Sequence, residues 1–364
     1  MYIKNLEIEN FRNYKNQKIE FDKNINIFYG DNAQGKTNII ESIFFTAFGK
    51  SFRTSKEKEV IKKGEDFTKI NLEYQKKDRD GKIAILISDK KVVSVNGIKL
   101  KKLSELIGNV NIVTFTPDDI NILKSGPSTR RRFLDMMIGQ LKVSYIHNLN
   151  LYLKTLEQRN NYLKQRTNND TMLEIWDEKL AEYGEYIYKL REEFIDKISK
   201  KIVNIHHNIT NEDIKIKYIS DSKSKEEILN KLKRNREIDK IKGFTSCGVH
   251  RDDFKIYING DEVNIYGSQG QNRTAILSLK LAEIEVIYEE IGEYPILLLD
   301  DFMSELDEKR ITSFLSNIEN IQVIITCTKE IDINKSKLFN VKDGKIINTK
   351  ILTVNHFRKC PKKF

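Results

Sequence analysis

Gly30-Asp31-Asn32-Ala33-Gln34-Gly35-Lys36-Thr37 constrains this chain more than any other stretch. The octet fits G-x-x-x-x-G-K-[ST]. It stands between an apolar run, Ile25–Tyr29, and a segment with an apolar face at Ile39, Ile40, Ile43, Phe44 and Phe48. Strand, glycine loop and helix in that order are what a phosphate-binding loop requires. The glycines let backbone N–H groups curl around phosphates without Cβ clashes, and the helix N-terminus adds partial positive charge. Lys36 is placed to bridge the β- and γ-phosphates of ATP, and Thr37 to ligate Mg²⁺.

Leu297-Leu298-Leu299-Asp300-Asp301 supplies a second half. The continuous apolar run Ile296–Leu299 is the pattern of a central parallel strand buried on both faces. At its end Asp300 can hold the metal, and Asp301 can orient or deprotonate the attacking water. Alone, the pair is an acidic turn of the kind any α/β protein carries. A third piece, Ser268-Gln269-Gly270-Gln271, opens a helix expected to run from Gly270 to about Ile291. The plain use of such a serine is as an N-cap.

The rest of the chain falls into three stretches. In the first, Tyr2–Glu9, Gln17–Phe21 and Ile25–Tyr29 read as strands, and further strands between Lys69 and Leu100 are punctuated by turn signals at Asp80-Gly81 and Asn96-Gly97. In the second, Tyr145, Leu149, Tyr152, Leu156 and Leu163 recur at helical spacing. The spacing resumes from Trp176 to Ile202 after a polar break at Arg166–Asp170, which predicts an antiparallel helical hairpin. Lys223–Lys242 reads as a charged surface helix. In the third, Phe254–Ile258 and Val263–Tyr266 flank Asn259-Gly260-Asp261 as a hairpin, and Val323–Thr326 reads as a further strand of the parallel sheet. The basic tail from Asn355 has little apolar content.

Ser-Gln-Gly-Gln, a helix and an acidic strand end, in that order, resemble the signature and acidic strand of ABC-type ATPases. Ser304-Glu305-Leu306-Asp307 resembles their D-loop. About two hundred residues separate signature from phosphate loop, with a helical hairpin among them, as in the SMC and Rad50 group. Phe11-Arg12-Asn13-Tyr14, Lys50-Ser51-Phe52-Arg53-Thr54, Thr116-Pro117-Asp118-Asp119, Arg130-Arg131-Arg132-Phe133-Leu134-Asp135 and His250-Arg251-Asp252-Asp253 resemble the RecF family specifically, from end to end of the chain.

The resemblance implies an α/β ABC-type head built from 1–125 and 245–364, with a mainly helical lobe, 126–244, inserted between them. It implies a weak, DNA-stimulated ATPase that forms a homodimer on ATP and acts with the RecR and RecO mediators at single-strand gaps. Gly30–Thr37 would then bind ATP, Asp300 would bind Mg²⁺ and Asp301 would act on water. Ser268, Gln269, Gly270 and Gln271 would serve the partner subunit's ATP, and Arg12 would lie near the phosphates. Three departures stand out. Phe52 replaces an expected histidine, Asp301 replaces the glutamate usual in ABC enzymes, and Thr326-Cys327-Thr328 offers no histidine to sense the γ-phosphate.

Composition bears on the partner. Lys and Arg number 63 against 53 Asp and Glu, a net charge of +10 that suits a polyanion such as DNA. Three scattered cysteines, with no Cys-x-x-Cys pair, fit a reducing cytoplasm and exclude a zinc or disulfide framework. No apolar stretch reaches membrane-span length. The rivals are the ATPase subunit of an ABC transporter, which would need neither hairpin nor DNA affinity, and a small-metabolite kinase, which would leave Ser268–Gln271 without a role.

Overall fold

The structure is a computed structural model and describes residues 1–165, 169–301, 320–331, 333 and 335–352. It opens with β1 (Tyr2–Phe11), β2 (Tyr14–Glu20), β3 (Ile25–Tyr29) and α1 (Lys36–Phe48), then β4 (Thr68–Gln75), β5 (Asp80–Ile87), β6 (Lys91–Val95), β7 (Ile98–Lys99) and β8 (Ile112–Phe115). The middle holds α2 (Asn121–Lys124), α3 (Pro127–Leu141), α4 (Val143–Leu163), α5 (Asp170–Thr210), β9 (Ile214–Ile219), α6 (Lys225–Arg234) and α7 (Arg236–Lys242). There follow β10 (Asp253–Ile258), β11 (Asp261–Glu262), α8 (Val263–Tyr266) and α9 (Gln269–Ile291), then β12 (Ile296–Leu299), β13 (Val323–Cys327), β14 (Ser336–Lys342) and β15 (Lys345–Leu352). The chain divides into two compact units, Met1–Asp118 with Ile287–Phe364, and Asp119–Val286.

The first unit contains two six-stranded sheets. One is antiparallel, in the order β2-β1-β4-β5-β6-β7. The other runs β15-β14-β3-β13-β12-β8, with β14, β3, β13, β12 and β8 parallel and β15 antiparallel at the edge. Flanked by β13 and β8, the Ile-Leu-Leu-Leu run of β12 is buried at every residue, as a strand covered on both faces demands. Strand β3, which leads into Gly30–Thr37, and the acidic strand β12 are not neighbours, because β13 lies between them. Asn96 and Gly97 form the expected turn, both at positive φ (50° and 81°). Asp80-Gly81 instead begins β5, opposite Tyr74 and Gln75. A Cβ at Gly81 would lie 2.2 Å from the Tyr74 ring, so this glycine admits an aromatic neighbour rather than a turn.

In the second unit α4 and α5 make the expected antiparallel hairpin. The rings of Tyr162 and Trp176 sit 5.0 Å apart near the connection, and Tyr186 Oη donates to Ser144 Oγ at 2.7 Å near the other end. The second helix has 41 residues, with an Asn169 cap whose side chain accepts from the Thr171 N–H. A three-stranded sheet, β11-β10-β9, packs against α5, so this unit is helical but not wholly so. Its junction with the first unit falls at 286/287, some forty residues beyond the expected 244/245, because β10 pairs along its whole length with β9.

The charged stretch 223–242 forms two helices rather than one, with Asn235 at the break, and it buries Arg236 and Asp239 instead of lying wholly on the surface. The expected strand Val263–Tyr266 is the short helix α8. Only Asp261 and Glu262 pair with β10, and of the four residues that follow Val263 alone is buried. An alternating pattern four residues long does not separate strand from helix.

Candidate functional site: a nucleotide-binding loop and its acidic strand

Gly30 leaves β3 at φ 149°, where a Cβ would stand 2.3 Å from the Val341 carbonyl oxygen. Gly35 precedes α1 at φ 110°, and a Cβ there would strike the Asn13 side chain at 2.5 Å. Both φ values are ones that residues with a Cβ rarely adopt, and the groups a Cβ would strike lie outside the octet, on β14 and in the β1–β2 turn. Because Gly35 has no side chain, α1 begins without a side-chain cap, leaving orphan N–H groups and the positive end of the helix available to an anion. Lys36 Nζ donates to the carbonyls of Gly30 and Asp31 at 2.6 and 2.7 Å. The ammonium thus lies folded over its own loop.

Thr37 Oγ1 donates to Asp300 Oδ1 at 2.9 Å, joining residues 263 positions apart. Thr326 Oγ1, on the intervening strand β13, donates to the same oxygen at 2.7 Å and accepts the Asp301 N–H at 2.9 Å. Burial pushes the Asp300 carboxyl above its ordinary range, and the neighbouring Asp301 adds to the rise. The two threonine hydroxyls and Arg53 pull it back. Asp301 itself is exposed and held at φ 47°. Two oxygen donors side by side, one a carboxylate, are the ligand chemistry of a hard divalent cation.

Residues outside the octet brace the loop. Asn13 Nδ2 donates to the Gln34 carbonyl at 3.0 Å, while its Oδ1 accepts from Asn38 at 2.8 Å. Tyr14 Oη donates to the Gly35 carbonyl, and the Gly344 N–H donates to that of Gln34. Arg12, expected beside the phosphates, donates to both oxygens of the buried Glu41 on α1 at 2.9 and 2.6 Å and to the Glu59 carbonyl. Glu41 also accepts from Ser51, and Arg53 donates to Asn38. The departure at Phe52 becomes apolar packing, its ring edge-on to Phe44 at 5.2 Å.

The structure therefore groups Gly30–Thr37, Asp300 and Asp301, with Thr326, Asn13, Tyr14, Asn38, Glu41 and Arg53 around them. Motif reading passed over these last six as chemistry. The signal was partial: Asn13, Tyr14 and Arg53 lie within the two phrases flanking the loop and Thr326 within the stretch that lacks a histidine, whereas Asn38 and Glu41 carry no local mark.

In the second unit Ser268–Gln271 forms a reciprocal cap at the start of α9. Ser268 Oγ accepts the Gln271 N–H at 3.2 Å, and Gln271 Oε1 accepts the Ser268 N–H at 3.0 Å. Ser268 and Gln269 are exposed, so the cap leaves the serine hydroxyl proton free to point outward. Gln271 Nε2 is committed to Glu212 at 2.7 Å. The expected D-loop, Ser304–Asp307, lies outside the described residues.

Residues 2–346 match the family model described as the RecF/RecN/SMC N terminal domain. The DNA replication and repair protein RecF of Clostridium perfringens is 47% identical over 360 residues, spanning 95% of this chain and 99% of its own length. That of Clostridium botulinum is 45% identical over 361 residues, with the same two shares. This chain belongs to the RecF family.

Among solved structures, the recombination mediator protein RecF of the RecFOR pathway, as RecF-ATP, shares 40% identity. Its TM-score is 0.91, covering 97% of this chain and 98% of its own. An SMC head bound to the C-winged helix domain of ScpA, at 18% identity and TM-score 0.59, shares the fold. The ABC-type head with an inserted, largely helical lobe is thus the architecture of this family member. Among the described residues no helix is long and apolar enough to cross a membrane.

Proposed function

We propose that this chain is an ATP-dependent DNA-binding protein of replication and recombinational repair, which dimerises on ATP as a clamp on gapped or duplex DNA. The carrying observation is the union of Thr37 and Asp300 at 2.9 Å beside the uncapped start of α1, in a chain whose relatives are RecF proteins, one of them solved with ATP. Those relatives favour this reading over an ABC transporter subunit. The RecFOR pathway of that relative supports RecR and RecO as partners, and a cytoplasmic location follows from the same role.

ATP would draw Lys36 off the Gly30 and Asp31 carbonyls and onto its phosphates, exchanging two neutral acceptors for charged ones. Thr37 and Asp300 would hold Mg²⁺, whose charge offsets the cost of burying Asp300 and assists phosphoryl transfer. Asp301 would position and deprotonate water, slowly, since its carboxylate reaches one methylene less far than a glutamate. Thr326 ties its hydroxyl to Asp300 and to the Asp301 backbone, which suits it to the post left without a histidine. Arg12 would act on the phosphates through Glu41 and α1. Ser268–Gln271 of one subunit would meet the γ-phosphate held by the other, giving two equivalent sites about a two-fold axis.

Sedimentation of wild type, Asp301→Asn and Ser268→Arg, with and without ATP and Mg²⁺, tests this. Wild type should dimerise with ATP and relax as it hydrolyses. Asp301→Asn should accumulate as dimer, and Ser268→Arg should bind ATP as a monomer. Wild type and Asp301→Asn that both stay monomeric at saturating ATP would sink the clamp, as would normal hydrolysis by Ser268→Arg.

A further inference from the structure

The alternation in β9, Ile-Lys-Ile-Lys-Tyr-Ile, buries Ile214 and Ile216 and exposes Lys215 and Lys217. The antiparallel partner β10 buries Phe254, Ile256 and Ile258 and turns Lys255 and Tyr257 the other way. The register sets Tyr257 opposite Lys215 and Lys255 opposite Lys217. One sheet face therefore carries three lysines and an aromatic ring. Lys255 is neutralised by Glu262 at 2.7 Å. No carboxylate lies within ion-pair distance of Lys215 or Lys217 among the described residues, although directly opposed like charges disfavour a sheet. A groove of ≈ 860 Å³ runs here. Lys215, Lys217 and Tyr257 line it together with Ser199 and Val203 of α5 and the Asn259-Gly260 turn, and Asp213 is its one carboxylate. The outer edge of β9 pairs with no strand among the described residues.

We propose that this groove takes the phosphodiester backbone of a nucleic-acid strand, with Lys215 and Lys217 on phosphates and the Tyr257 ring against a base or sugar. The inference rests on the DNA-binding reading above and assigns it a place on the second unit. Two unpaired cations at alternate positions of a rigid strand give a fixed row of positive charge. A tyrosine beside that row supplies the stacking surface that sequence-independent single-strand binders combine with such charge. The Ser199 hydroxyl and Asn259 amide add neutral donors of the kind that contact phosphate and sugar. An acidic peptide would satisfy the lysines but leave the ring without a stacking partner, and the net charge of +10 favours the longer polyanion.

The full chain, with ATP, is titrated onto labelled single-stranded and gapped oligonucleotides over a salt series, using wild type, Lys215→Ala/Lys217→Ala, Lys215→Arg/Lys217→Arg and Tyr257→Ala. Both lysines are exposed, so the variants should melt like wild type. The double alanine variant should bind roughly tenfold more weakly at moderate salt and lose about 1.4 units from the log–log salt slope on the single strand, about 0.7 per phosphate contact. The arginine pair should restore both. Tyr257→Ala should weaken single-strand binding with its slope unchanged, and DNA-independent ATP hydrolysis should be normal throughout. Wild type that fails to bind DNA overturns the DNA reading and the groove with it. Wild-type affinity and slope in the double alanine variant overturn the groove alone. So does oligoglutamate that binds through these lysines without displacing DNA.

Discussion

Two polar clusters, one in each unit, are built on opposite terms. Around the nucleotide loop the charged groups are incompletely spent: Lys36 rests on neutral carbonyls, and Asp300 is buried on two hydroxyls with its acidity weakened. In the helical unit the charges close on themselves. Arg159 donates to Asp177 at 2.7 Å and to Asp239 at 2.8 Å, Arg236 donates to Asp177 at 3.0 Å, and Arg159, Asp177 and Asp239 are all fully buried. Arg159 and Arg236 answer Asp177 and Asp239, and Arg236 also reaches Asp170 and Glu174 at 3.6 Å, so each cation there has carboxylates beside it. A polar cluster serves binding when its best partners are absent, and serves architecture when they are present.

Breaking the closed cluster should have the largest effect. Arg159→Met leaves Asp239 buried with only the Ser246 N–H and no cation, and should destabilise the fold by about 3–5 kcal/mol. Chemical denaturation reads this, and ATP affinity of the remaining folded protein should be unchanged. A loss below about 1 kcal/mol would erase the distinction between the clusters.

Breaking the open cluster should do the reverse. Lys36→Ala removes the one cation of the octet, and ATP hydrolysis should fall at least roughly a hundredfold, about 2.7 kcal/mol of barrier. The lost carbonyl contacts should cost the fold about 1 kcal/mol or less. Unchanged hydrolysis by a well-folded variant would remove the nucleotide site altogether.

A smaller, graded effect should come from His250, which shares the helical unit's closed character without its charge. Its Nδ1 accepts from Tyr152 Oη at 2.7 Å and its Nε2–H donates to the Thr245 carbonyl at 3.1 Å. Burial lowers its pKa to about 4. The unfolded chain takes up this proton near pH 6.5 and the folded chain only near 4. Stability present above 6.5 is therefore lost as pH falls through that window, at about 1 kcal/mol per pH unit. His250→Gln should flatten the denaturation midpoint between pH 6.5 and 4. A slope equal to wild type would mean the imidazole is not held neutral.

The octet, the Asp300-Asp301 strand end and the helical hairpin were legible in the sequence because each is local. Glycines at fixed offsets, an apolar run ending in acid, and helical spacing with a polar break all act within a few residues of themselves. The same chain order also carried the family resemblance, since motif order survives without knowledge of contacts. Sequence was silent on what the charged residues touch. The arginine cluster at 130–132, one of the phrases that carry the resemblance, sends Arg130 into a bidentate pair with Asp253 at 2.5 and 2.9 Å and Arg131 to the Asp252 carbonyl. Of the three, only Arg132 is exposed. Thr326 became a partner of both site aspartates only because β13 is inserted between β3 and β12. Glu41 became the anchor of Arg12 only because α1 passes the β1–β2 turn. A side chain's type is written in the chain, but its partner is set by which strands and helices lie side by side, and contacts across some 20 to 300 residues leave no periodic trace in a single sequence.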